Sequence, residues 1–236
     1  MKTAVFPISV DNSRFTTTLF SKLLRPVAAE YDKVVFLVAD QLQLYNKATE
    51  VNSHKSLKVV LAEFAERNFY FEERKKWLEK IIHESVSDTA EPEWLFWKLA
   101  DITDHKFSDV FRNVLLAYQT VPEFREDVEK AAEDYCSRKS TRISTNVERR
   151  LSESYILEEI AVNVRLRIMG NIQDEYYPFG YPKPMLRIYT DDYDFNAFDL
   201  AGLKSKKSEF RFHQWNESKE TWELVNSAVT LAYDFA

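Results

Sequence analysis

The chain has 236 residues, 45% hydrophobic and 30% charged, with a formal net charge of -6. That suits one domain with a sizeable core. It excludes a surface that is basic overall, although a local basic patch still reaches phosphates within a Debye length of roughly 10 Å. The single cysteine, Cys136, excludes an internal disulfide and fits a reducing, cytoplasmic setting. The start has no h-region of signal-peptide length, and no apolar run approaches the roughly 20 residues of a membrane span. Only three glycines occur, Gly170, Gly180 and Gly202, and none lies near a βα turn. A glycine-rich dinucleotide fingerprint and a P-loop are therefore excluded, and ATP or NAD binding by those routes with them.

In chain order, apolar runs predict strands at Thr3–Ile8 and Lys33–Ala39, with a helical stretch from about Ser13 to Tyr31 between them. Pro26 is expected to divide that stretch in two. Strand, loop, helix and parallel strand make a βαβ unit, so an α/β fold with a parallel sheet flanked by helices is expected. Lys55–Arg67 has helical spacing. Phe69–Phe71 reads as a short strand leading into a helix around Glu73–Glu84, and Ser85–Glu93 as a polar loop. Glu93–Ile102, Phe107–Tyr118 and Glu123–Ser137 read as helices, the last introduced by Pro122. A further helix starts near Ser144-Thr145-Asn146 and carries Tyr155 and Glu159. From Ile160 to Ile168 the pattern also alternates, so helix and strand are both open there. Asn171–Pro184 reads as aromatic- and proline-rich loop, Met185–Tyr189 and Glu209–Phe212 as strands, and Thr221–Tyr233 as a closing helix.

In open parallel sheets the ligand site lies beyond the carboxyl ends of the strands. Ser9 sits at such an end, within Ile8-Ser9-Val10-Asp11-Asn12-Ser13. Val38-Ala39-Asp40 follows, with Leu44-Tyr45-Asn46 close behind, then Tyr155-Ile156-Leu157-Glu158-Glu159 and Tyr177-Pro178. In this order, from about Thr3 to Pro178, the segments resemble the tRNA-dependent cyclodipeptide synthases. The resemblance implies a Rossmann-like fold similar to the catalytic domains of class I tyrosyl- and tryptophanyl-tRNA synthetases. It implies one catalytic domain over 1–236, with about 180–236 as a C-terminal portion outside the motifs. It also implies aminoacyltransferase activity: two aminoacyl-tRNAs are joined into a diketopiperazine through an aminoacyl-serine and then a dipeptidyl-serine. The esters are already activated, so no ATP and no other cofactor is expected. No metal is expected either, because one cysteine and four scattered histidines give no ligand spacing.

The resemblance implies Ser9 as nucleophile, with Asn12 beside it in the substrate site. A serine ending a strand more often serves as a cap, and no histidine base is evident nearby. Tyr155 and Glu159 are one helical turn apart and share a face. A carboxylate and a phenol there can hold an α-ammonium group, the charge answering the charge. The commoner use of such a pair is a core tyrosine beside a solvated glutamate, and Glu158 is an adjacent alternative. Tyr177 is implied as a proton-transfer residue, with Tyr176 as its rival; aromatic packing under a loop is the bland reading of both. The family's glycine two before the serine is replaced by Pro7. For tRNA, the implied surface is Arg67, Arg74, Lys75 and Lys76, diluted by Glu66, Glu72, Glu73 and Glu79. A second cluster comprises Arg138, Lys139, Arg142, Arg149 and Arg150. Either could be a plain solvated face. The competing function is a non-catalytic aminoacyl-tRNA or RNA-binding module of the same fold.

Overall fold

The computed structural model describes residues 2–9, 17–39, 45, 58–59, 62–63, 65–66, 73, 76, 80, 91–96, 105–139, 146–169, 172–178, 188 and 211–225. The elements are β1 (Thr3–Ser9), α1 (Thr17–Glu30), β2 (Lys33–Ala39), β3 (Glu91–Phe96), α2 (His105–Thr120), α3 (Pro122–Lys139), α4 (Asn146–Met169), β4 (Ile172–Tyr177), β5 (Arg211–Asn216) and β6 (Thr221–Val225). One six-stranded sheet runs in the order β3-β2-β1-β4-β5-β6. Its pairings are parallel from β3 to β5, and β6 closes it antiparallel to β5. The expected α/β architecture, with a mostly parallel sheet between helices, is what the chain adopts.

Both faces of β1 and β2 are covered, which is why they read as near-continuous apolar runs. On one face, Ala4, Phe6, Ile8, Val34, Phe36 and Val38 pack against Phe20, Leu23, Leu24 and Val27 of α1. On the other, Val5, Val35 and Leu37 meet Val114 of α2, Val128 of α3 and Ile156, Leu157 and Ile160 of α4. Leu23 and Leu24 are fully buried, each worth about 1.5–3 kcal/mol relative to exposure.

Several expectations are corrected. The helix α1 runs unbroken through Pro26. Pro26 and Lys22 lie on the exposed side, so water can take the Lys22 carbonyl that proline leaves without a donor. Burial at positions 20, 23, 24, 27 and 28 holds the other side. The segment read as a helix from Glu93 begins as the strand β3, with Phe36 stacked on Trp94 at 4.5 Å. Pro92 is tolerated there because β3 is an edge strand. The ambiguous Ile160–Ile168 stretch is helical, within α4; Ala161, Val162 and Asn163 are buried in succession, as in a helix covered on several sides.

Residues 172–177, read as loop, form β4. The strand at 209–212 is displaced to Arg211–Asn216, and the closing helix is replaced, at 221–225, by β6. The β5–β6 hairpin turns where the Asn216 side chain accepts from the Ser218 and Lys219 amides, both at 3.1 Å. Glu220 takes φ 53°. Trp222 Nε1 then donates to the Leu23 carbonyl at 3.1 Å and ties β6 to α1. Ile188, within the segment read as a strand, is helical and buried. Lys58, Val59, Ala62, Glu63, Ala65 and Glu66, and then Glu73, Lys76 and Lys80, are helical as expected. The short strand read at 69–71 lies outside the described residues.

Candidate active site

Strand order reverses between β1 and β4, which are parallel neighbours. A crevice beyond their carboxyl ends is where ligands bind in such sheets. Ser9 is the last residue of β1, in register with Ala39 of β2, and Tyr177 is the last residue of β4. Two sequence-distant candidates are thus brought to one end of one sheet. Strand alternation then separates the two tyrosines. Glu175 pairs with Val5 and with Phe212, both in the core that α2, α3 and α4 share with the sheet. Tyr177, two residues on, has the same parity and is partly buried. Tyr176 lies on the opposite face: its hydroxyl is 3.0 Å from that of Tyr31, its ring stacks on His213 at 4.3 Å, and burial raises its phenol to about 12.

The helix α4 supplies the other candidates on the Tyr177 face. Tyr155 is half-buried, its ring stacked on Tyr135 of α3 at 6.0 Å and 15°. One turn later, Glu159 is pushed up to about 8, first by burial and then by the negative charge of Glu175. Glu158 points elsewhere, accepting a hydrogen bond of 2.8 Å from the Tyr45 hydroxyl. Burial, followed by this bond, raises Tyr45 to about 12. Of the two adjacent glutamates, Glu159 is therefore the one coupled to the sheet. With its carboxyl near 8 it is mostly protonated at neutral pH, so it can give up a proton or take one back close to pH 7.

Sequence reasoning missed two residues here. Glu175 is only 1% exposed, and Asn163, one turn beyond Glu159, only 4%. Glu175 was hidden in a segment that reads as aromatic- and proline-rich loop. Asn163 carried no signal beyond its i+4 spacing from Glu159.

The far face of β4 carries a separate network. Asp174 accepts from Arg211 Nη2 at 2.6 Å and lies 2.7 Å from His213 Nε2. Burial alone would raise its carboxyl, but the bonds from His213, Arg211 and Tyr31 prevail and hold it down at about 2. This network faces α1 and braces β4 against β5.

Among the remaining predicted residues, Asn12, Arg67, Arg74 and Lys75 lie outside the described residues. Lys76 is exposed and pairs with Glu73 at 3.1 Å. In the second basic cluster, Arg150 is exposed, while Arg149 sits between Glu133 at 3.7 Å and Glu153 at 3.3 Å. Among the described residues, no group of three or more His, Cys, Asp or Glu could hold a metal ion, and no helix is long and apolar enough to cross a membrane.

No family model matches this sequence, and no curated protein matches it. Solved structures do. A cyclodipeptide synthase from Streptomyces noursei superposes with a TM-score of 0.66 at 12% identity, covering 93% of this chain and 97% of its own. One from Fluoribacter dumoffii gives 0.64 at 18% identity, covering 89% and 86%. One from Candidatus Glomeribacter gigasporarum, bound to Phe-tRNAPhe, gives 0.56 at 15% identity, covering 87% and 86%. With TM-scores of 0.56 to 0.66 over most of both chains, the chain has the fold of the cyclodipeptide synthases.

Proposed function

We propose that this protein makes a cyclodipeptide from two aminoacyl-tRNAs through a covalent serine intermediate. The observation that carries the reading is Glu159. On a fold shared with cyclodipeptide synthases, a half-buried carboxyl with a raised pKa lies in the layer between α4 and the switch-point strands. Its working range overlaps that of an α-amino group, ordinarily near 7.7–8.0. Tyr155, one turn away, adds a directed hydrogen-bonding group.

In the proposed sequence, Ser9 Oγ attacks the carbonyl carbon of the first aminoacyl ester. The Oγ–C bond forms, the ribose C–O bond breaks, and the hydroxyl proton ends on the released tRNA. The amine of aminoacyl-Ser9 then attacks the second ester. An amide forms, the second ribose oxygen leaves, and it takes the amine proton. The free amine of dipeptidyl-Ser9 finally attacks the serine ester, closes the ring and returns the proton to Ser9. Each amine must be neutral when it attacks and is best held as an ammonium when it binds. Glu159 serves both states: as a carboxylate it anchors the ammonium, and as a base of matched pKa it accepts the proton. Tyr177, at the neighbouring strand end, relays protons to the departing ribose oxygens. Much of the acceleration is positional, since effective molarities convert two bimolecular acyl transfers into local ones. Basic residues at Arg67, Arg74, Lys75 and Lys76, with Asn12 at the nucleophile loop, are proposed to meet the tRNA and the aminoacyl group respectively.

The test is expression of the chain in bacteria with mass spectrometry of the medium, repeated for Ser9→Ala. Diketopiperazines are expected from the wild type and not from the variant, and peptide mapping of trapped protein should place the aminoacyl adduct on Ser9. Undiminished product from a folded Ser9→Ala variant would eliminate the covalent route.

A further inference from the structure

We propose that Tyr45 is a positioning residue for Glu159: its hydroxyl, bonded to the adjacent Glu158, fixes the rotation of α4 against the strand pair that carries Ser9. The inference rests on the proposed reaction, in which Glu159 must meet an amine delivered at Ser9.

Tyr45 is helical and half-buried, and follows Ala39 by six positions. Ala39 ends β2 and is in register with Ser9. Both Ala39 and Tyr45 pack on the core that α4 lines with Ile156, Leu157 and Ile160. The chain leaving the strand next to the nucleophile is therefore back against α4 by Tyr45. There the Tyr45 hydroxyl donates to Glu158 Oε2 at 2.8 Å. Burial first, and then this bond, pushes the phenol up to about 12, so Tyr45 keeps its proton and stays the donor near neutral pH. A hydroxyl meeting a carboxylate in a half-buried place makes one of the stronger hydrogen bonds.

Glu158 and Glu159 are consecutive on one helix, about 100° apart around its axis. A bond that holds the first also holds the direction of the second. Side-chain ends lie about 5–6 Å from a helix axis, so a turn of about 10° carries the Glu159 carboxyl about 1 Å. Productive geometry tolerates about 0.5 Å, and a misplacement of about 1 Å can cost about a hundred-fold in rate. The contacts from Tyr118 of α2 to Glu153 at 3.2 Å, from Cys136 of α3 to Ser152 at 3.3 Å and from Glu133 of α3 to Arg149 at 3.7 Å tie α4 to other helices. They keep the helical layer together without referring it to the nucleophile. The Tyr45 bond makes that reference, because it joins α4 to the chain that leaves the carboxyl end of β2.

The experiment uses the purified full chain and bacterial tRNA charged separately with each standard amino acid. Enzyme loading and diketopiperazine are read by mass spectrometry, and kcat and KM are measured with the aminoacyl-tRNA that the wild type loads best. Tyr45→Phe and Glu158→Met should each lower kcat about ten- to a hundred-fold. KM should hardly change, because tRNA affinity comes mostly from phosphate contacts away from Glu159. The double variant should be no slower than the slower single variant, since both changes remove the same bond. Glu158→Gln, whose amide oxygen still accepts from Tyr45, should restore most of the rate that Glu158→Met loses. Should Tyr45→Phe fail to fold, the comparison of Glu158→Gln with Glu158→Met decides alone. A folded Tyr45→Phe variant with wild-type kcat would overturn the inference and leave the proposed reaction standing. So would losses that multiply in the double variant, or equal losses in Glu158→Gln and Glu158→Met, which would mark the charge of Glu158 rather than its bond. No loading and no diketopiperazine by the wild type from any charged tRNA would remove the proposed reaction, and this inference with it.

Discussion

The raised carboxyl of Glu159 makes a quantitative claim about stability that needs no substrate. Its pKa moves from the usual 4.5 to about 8 because it is buried and because Glu175 is near. The folded protein therefore holds this proton more tightly than the unfolded chain does. The stability it contributes is fully present below about pH 4.5 and is lost progressively as pH rises through about 8. At about 1.36 kcal/mol per pH unit the whole displacement is worth about 5 kcal/mol. Glu159 keeps some exposure, and solvent screening reduces this to about 3–5 kcal/mol. In Glu159→Gln the same place is filled by a group that never ionises. Urea unfolding of both proteins, run from pH 4 to pH 9, should give coincident stabilities at the acid end. The two should diverge between about pH 5 and 8, with the glutamine variant the more stable at pH 9. Groups common to both proteins cancel in the difference, so the divergence reports the site alone. Parallel curves across that window would refute the claim that Glu159 and Glu175 are coupled inside the folded layer, and the proton role given to Glu159 would fall with it.

The two adjacent tyrosines should respond oppositely. Tyr176→Phe removes the buried 3.0 Å contact with Tyr31 and should cost about 1–2 kcal/mol in chemical denaturation with turnover retained; Tyr177→Phe should lower turnover with little loss of stability, and the reverse pattern would show that the strand faces are assigned wrongly. The carboxyl of Asp174, held at about 2 against its usual 3.8, supplies stability that is present above about pH 4 and is lost as pH falls through 2. Asp174→Asn should therefore cost about 2 kcal/mol at pH 7 and lose that deficit near pH 2; an unchanged denaturation midpoint at pH 7 would mean the network with Arg211 and His213 does not brace the sheet. Neutralising Arg74, Lys75 and Lys76 together should weaken aminoacyl-tRNA use and flatten its dependence on salt, while small activated aminoacyl esters are used as before; an unchanged salt slope would move the tRNA surface to the cluster around Arg150.

Where a segment meets the same environment along its whole length, the sequence shows what it becomes. β1 and β2 are covered on both faces and read as strands. α2 and α3 follow a period of 3.6, and α3 opens on Pro122, whose missing N–H is harmless at a helix start. The spacing of Tyr155 and Glu159 was legible for the same reason, since i and i+4 meet on any helix. β4 was not legible. Its stretch read as aromatic- and proline-rich loop, yet Asp174 and Glu175 are buried, because each face of this strand carries a polar arrangement of its own: the Asp174 network towards α1 and the Glu175–Glu159 pair towards α4. β6 was missed because its hairpin turns on Asn216 and on Glu220 at positive φ, with no glycine to announce it. Besides β3 at the opposite edge and the unbroken α1, the errors fall on the sheet between the switch point and its far edge, and β4 shows why the candidate site was only half visible. A hydrophobic pattern reports burial, and a strand that buries carboxylates for a purpose breaks that pattern where the chemistry sits. Position 175 carries both meanings: a charged residue inside a stretch that read as loop is also the one whose charge reaches Glu159.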